Sequence, residues 1–173
     1  MIRTQIMVVE DESIVAEDMK AMLEGFGYTV PAVAFSGEEA VRKAFDMHPD
    51  LVLMDIVLKG QMSGVEAVER IRSRCNIPVV YVTAYADEKT VRRAKATEPY
   101  GYILKPFDAR ELQTAIEIAL YKHQMEKKLH EVLMEFERTT GLAVTSIEIR
   151  CLDEGRVLPV TSEAVTAKVE LIS

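Results

Sequence analysis

Residues that break regular structure are scarce in this chain. Eight glycines and six prolines in 173 residues are too few for a largely disordered polymer. One ordinary folded domain, or one with a small appendage, is expected. Cysteine is scarcer still. Cys75 and Cys151 stand alone, with no CxxC and no Cys/His ligand spacing. They read as two reduced core or surface thiols of a cytosolic protein rather than as a disulfide. No apolar run approaches the length of a membrane span. The opening MIRTQIMVVEDE turns acidic where a secretory signal would need its apolar core, so a soluble, cytoplasmic chain is expected. A basic excess is also missing, with 21 Lys and Arg against 28 Asp and Glu and a net charge of -7. Duplex binders carry a basic footprint, so neither nucleic acid nor membrane is an expected partner.

What is present is an alternation of short apolar runs and helical periods. Gln5–Val9 reads as a buried strand and Ser13–Phe26 as a helix, with Ile14, Val15, Met19, Met22, Leu23 and Phe26 at helical spacing. Tyr28–Phe35 reads as a second strand. Ser36 with Glu39 forms a capping-box pattern for a helix ending near His48 and Pro49. Leu51–Met54 is a third strand, Ser63–Arg74 a helix and Ile77–Val82 a fourth strand. Asp87 caps a helix to about Thr97, Tyr100–Leu104 is a fifth strand, and Asp108 caps a long helix starting at Ala109. The first, third and fourth strands are apolar throughout, the mark of a parallel sheet covered on both faces. A doubly wound α/β domain with a five-stranded parallel sheet is expected for residues 1–121.

In such a sheet ligands bind beyond the carboxyl ends of the strands. The residues there are Glu10, Asp11 and Glu12 after the first strand and Asp55 in LVLMDIVLKG after the third. Thr83 follows the fourth and Lys105 the fifth. Clustered carboxylates stay ionised only where a cation compensates them. Few carboxylates with water suit Mg²⁺. A metal, an ammonium and a hydroxyl around one carboxylate make a receptacle for a phosphoryl group, with Asp55 as the nucleophile. Competing chemistries lack their motifs: GxGxxG, GxxxxGK[ST] and GxSxG are all absent. Taken singly, Asp55 would read as a hydrogen-bonded structural acid, and Glu12 as a solvated acid of a first helical turn. His48, His123 and His130 have no partners at ligand spacing and read as surface residues.

IMVVEDE, DLVLMDIVLKG with MSGVE, PVVYVTAYAD and YGYILKPF together resemble the receiver domain of two-component response regulators over about residues 1–121. The resemblance implies that Glu10, Asp11, Asp55 and the Val57 carbonyl hold Mg²⁺. It implies that Asp55 accepts a phosphoryl group from a histidine kinase, that Lys105 pairs with the phosphoryl oxygens and that Thr83 hydrogen-bonds them. It makes Tyr102 the aromatic switch residue that follows Thr83, and the Lys105–Pro106 peptide cis. Val57 and Tyr85 stand where receivers tune phosphoryl lifetime. Two departures stand out: Lys59 occupies a place where many receivers carry proline, and Gly64 lies one residue further from Asp55 than is usual.

Residues 122–173 make a second module. Ala115, Ile118, Lys122, Met125, Leu129, Val132 and Phe136 form a heptad seam with one polar break. The helix is expected to run to about Thr140, with Gly141 as its C-cap. Beyond it, two or three antiparallel strands are expected, too small to stand alone. A homodimer through the extended fifth helix and these strands is the expected assembly. The tail carries seven basic and nine acidic residues from Lys122 onward and no catalytic motif. The expected function is a phosphorelay response regulator signalling by protein contact or self-association. The alternative is a phosphoryl shuttle or sink serving a histidine phosphotransfer protein, and a transcription factor is the weakest reading.

Overall fold

The structure, a computed structural model, describes residues 3–84, 88–142 and 144. Five strands and five helices alternate along them: β1 (Ile6–Val9), α1 (Ser13–Gly25), β2 (Val33–Ala34), α2 (Gly37–Met47), β3 (Leu51–Asp55), α3 (Gly64–Arg72), β4 (Val79–Thr83), α4 (Glu88–Ala96), β5 (Gly101–Leu104) and α5 (Ala109–Thr140). The chain divides into two compact units, Met1–Gln124 and Met125–Ser173. The first holds the sheet, whose strands are all parallel in the order β2-β1-β3-β4-β5.

Every side chain of β1, β3 and β4 is buried, because both sheet faces are covered. Met7, Val9, Val52, Met54, Val79 and Tyr81 pack with Ala40, Ala44, Val68, Ile71 and Ala94 of α2, α3 and α4. Ile6, Val8, Leu51, Leu53, Val80 and Val82 pack with Met19 and Leu23 of α1 and with Leu112, Ile116 and Ala119 of α5. The strand period of two thus sends alternate residues into two separate cores.

Three local expectations need correction. The run Tyr28–Phe35 supplies only a two-residue strand, plus a bridge from Thr29 to Gln5. Pro31 has no N–H and interrupts the ladder, which suits an edge position. At α2, Ser36 Oγ accepts from Glu39 N, but the Glu39 carboxylate reaches Phe35 N at 2.8 Å and not the cap residue itself. Reciprocal capping boxes form instead at Ser63 with Glu66 and at Asp108 with Glu111. Third, His123 is not a free surface residue. Its Nδ1 lies 3.1 Å from the Tyr100 hydroxyl, and the two rings meet edge to face.

The second unit carries the C-terminal part of α5. Gly141 follows with φ +71, a left-handed conformation that costs glycine nothing. The expected tail strands lie outside the described residues, as do Cys151, Tyr85 and Asp87. Cys75 is a half-buried free thiol. Among the described residues no helix is long and apolar enough to cross a membrane.

Candidate functional site

The sheet order reverses direction between β1 and β3, which opens a crevice beyond their carboxyl ends. Glu10 and Asp11 follow β1, Asp55 ends β3, Thr83 ends β4, and Lys105 follows β5. Parallel registers align these ends, pairing Asp55 with Val82 and Thr83 with Leu104. Lys105 N–H donates to the Thr83 carbonyl at 2.8 Å, so the hydroxyl and the ammonium hang from one ladder rung.

Asp55 is held at both oxygens. Oδ1 accepts from Val57 N–H at 2.8 Å, and Oδ2 lies 2.6 Å from Lys105 Nζ. Lys105 also donates to Glu10 Oε2. Glu10 is 1% exposed and Asp55 6%. Burial pushes the Glu10 carboxyl above its ordinary value, although the hydrogen bonds from Lys105 and from Glu12 N–H oppose it. Burial also works against the Lys105 ammonium. The hydrogen bonds it donates to Asp55 and Glu10 outweigh it and hold the group above its usual range. Asp11 takes no part in that triad. Its Oδ2 lies 3.0 Å from Nζ of Lys59.

Gly64 explains why the MSGVE turn reads as it does. A Cβ there would sit 1.8 Å from the Asp55 carbonyl oxygen, so only glycine lets α3 start against the strand that carries Asp55. Gly64 N–H donates to the Ile56 carbonyl at 3.1 Å. Residues 57–63 loop out between those two fixed points.

Thr83 is buried, and its Oγ1 has no hydrogen-bond partner among the described residues. An unsatisfied buried hydroxyl costs about 1–3 kcal/mol, a penalty a ligand oxygen would remove. Tyr102 is half-exposed and stacks on Tyr81, with ring centroids 5.6 Å apart. Tyr81 is buried and shares a hydrogen bond of 3.0 Å with Thr97 after α4. The Lys105–Pro106 peptide is cis.

Asp11, Asp55, Val57, Lys59, Thr83 and Lys105 line one open cavity of about 330 Å³. Oxygens of Glu10, Asp11 and Asp55 all lie within 4.8 Å of one another. An all-oxygen, carboxylate-rich set with water access fits a hard divalent cation.

A family profile described as the response regulator receiver domain matches residues 6–117. This chain belongs to that family. The receiver is 34% identical over 116 residues to the transcriptional regulatory protein PdtaR of Mycobacterium tuberculosis, covering 67% of this chain and 56% of that protein. It is 34% identical over 126 residues to the phyllosphere-induced regulator PhyR of Methylorubrum extorquens, covering 72% and 46%. Among solved structures, the signal receiver domain of a modulated diguanylate cyclase from Desulfovibrio desulfuricans superposes with a TM-score of 0.69 at 40% identity, covering 72% of this chain and 99% of that one. The chain spans about half the length of the curated relatives it matches.

The crevice brings together Glu10, Asp11, Asp55, Val57, Thr83 and Lys105 of the receiver's expected set. Tyr102 stands on β5, one strand away. Two participants escaped the sequence reading. Lys59 is noticeable in sequence as a missing proline, but its bond to Asp11 depends on the loop's path. Tyr81 reads as plain strand core, and nothing in its spacing announces a stack with Tyr102.

Proposed function

We propose that this receiver is the phosphoacceptor of a phosphorelay, with Asp55 taking a phosphoryl group from the phosphohistidine of a histidine kinase. One observation carries the reading: the buried carboxylate of Asp55, the Lys105 ammonium and the orphan Thr83 hydroxyl meet at one water-accessible cavity beside two further acids. An Asp55 oxygen attacks phosphorus, the P–N bond breaks, and its electron pair returns to the departing imidazole nitrogen. The product is an acyl phosphate. Lys105 passes from Asp55 Oδ2 to a phosphoryl oxygen, and the Thr83 hydroxyl donates to another.

Glu10, Asp11, Asp55 and the Val57 carbonyl would hold Mg²⁺, which when bound offsets the charge gathering on the phosphoryl oxygens. Tyr102 follows Thr83 inward and changes the surface of β5. The output is contact with another protein or self-association in the cytoplasm. Exposed Ile118, Leu129 and Val132 on α5 belong to the heptad seam of a homodimer.

Acetyl phosphate with Mg²⁺ tests the acceptor by intact mass. The wild type gains one phosphoryl group and Asp55→Asn gains none; a labelled variant overturns the assignment. Transfer of the label to a histidine phosphotransfer protein would favour the shuttle reading over the output reading. Light scattering with and without beryllofluoride reports the assembly, and a persistent monomer sinks the dimer.

A further inference from the structure

Lys105 answers two of the three clustered carboxylates, Asp55 and Glu10. The third, Asp11, is answered from the rim of the crevice by Lys59, whose Nζ lies 3.0 Å from Oδ2. The two partners differ in their surroundings. The Asp11 side chain is 10% exposed, whereas that of Lys59 is 80% exposed. The lysine therefore reaches in from solvent on the excursion of residues 57–63 and lines the same cavity as Asp55 and Lys105. Gly60, directly after it, takes φ +131, so the chain turns away at once and leaves the ammonium at the mouth.

We propose that Lys59 is a tethered competitor for the divalent cation, occupying the Asp11 carboxylate until the metal displaces it. The inference rests on the magnesium reading of the three acids. Among the described residues the two ammoniums then answer each of the three clustered carboxylates, with Glu12 a further acid lining the cavity. An entering cation must break the Lys59–Asp11 pair and bind beside a positive charge that has nowhere to go but solvent. Because Lys59 is exposed, the pair is weak and the ammonium leaves readily. The device lowers affinity without blocking the site. It also makes affinity depend on ionic strength, since exposed charges are screened by salt.

Amide chemical shifts during an MgCl₂ titration test this without any phosphoryl transfer. At low salt Lys59→Ala should bind Mg²⁺ about two- to fivefold more tightly than wild type, the scale of an exposed ion pair. Lys59→Arg should match wild type. The gap between wild type and Lys59→Ala should narrow as NaCl is raised. Equal or weaker binding by Lys59→Ala, with saturable binding in the wild type, overturns the competitor role and leaves the metal site standing. Absence of saturable shifts at Glu10, Asp11 and Asp55 in every variant overturns both.

Discussion

Replacing Lys105 by methionine keeps the length of the side chain and removes its charge. The loss would strand Glu10 and Asp55, whose side chains are 1% and 8% exposed, while Lys105 itself is 16% exposed. Stripping one partner from a buried pair costs about 3–5 kcal/mol, because the remaining charge is desolvated and unanswered. The crevice opens to water at one side, so the lower end applies, about 3 kcal/mol. In a chain of this size that lowers Tm by about 6–12 °C. The pH dependence follows from the directions of the shifts. The Lys105 ammonium sits above its ordinary value of 10.5, so its contribution is full below that value and lost only as pH rises through the raised one. The deficit should therefore be complete at pH 8. Glu10 is already raised above 4.5 by burial, and without Lys105 it rises further. Acidification should then protonate it at a higher pH than in the wild type and shrink the deficit. Urea unfolding followed by far-UV circular dichroism reads this in a chain with no tryptophan. Adding Glu10→Gln to the variant should return part of the loss, by removing one stranded charge. An unchanged urea midpoint at pH 8, or a deficit that grows on acidification, would refute the reasoning.

Other substitutions separate packing from chemistry. Gly64→Ala should cost about 4 kcal/mol or abolish folding, since its Cβ would fall 1.8 Å from backbone oxygen; a soluble variant with a wild-type urea midpoint would contradict the close approach. Thr83→Val should stabilise the unphosphorylated protein by about 1 kcal/mol by removing an unsatisfied hydroxyl, while weakening the spectral response to beryllofluoride. A destabilised variant would mean that the hydroxyl has a partner. Tyr81→Phe should lose about 1 kcal/mol with the bond to Thr97. Burial lifts the Tyr81 hydroxyl from 10.0 to about 12. The unfolded chain therefore ionises first, and the stability tied to this group is full below pH 10.0 and lost as pH approaches about 12. The rise from 10.0 to about 12 is worth about 3 kcal/mol, so the stabilities of the two proteins should converge and then cross within that window.

The sheet was legible because its signal is redundant. Five apolar runs, five helical periods and the placement of acids, threonine and lysine after successive strands all require the same parallel fold. Asp55 stood out because a carboxylate ending an apolar strand has few reasons to be there. Other features depended on details that no period encodes. Pro31 shortened the second strand although its neighbours favour one. Glu39 bonded one residue earlier than a capping box demands. His123 found Tyr100, twenty-three positions back, only once α5 lay alongside β5. Lys59 was visible as a substitution, yet its partner across the crevice could be named only from the path of the loop. No residue type marks where the two compact units divide, between Gln124 and Met125, since helical periodicity continues through α5 without a break.

The bond between Gly64 and Ile56 gives the segment 58–63 the character of a detachable part. Both ends are clamped beside Asp55: at one end Val57 N–H holds its carboxylate, and at the other α3 rests on its carbonyl. Length and charge between the clamps can change while the reacting atoms keep their coordinates. Such a part invites grafting. Segments of different length or charge, exchanged between the same two clamps, would yield receivers that share one crevice and differ in the charge at its mouth.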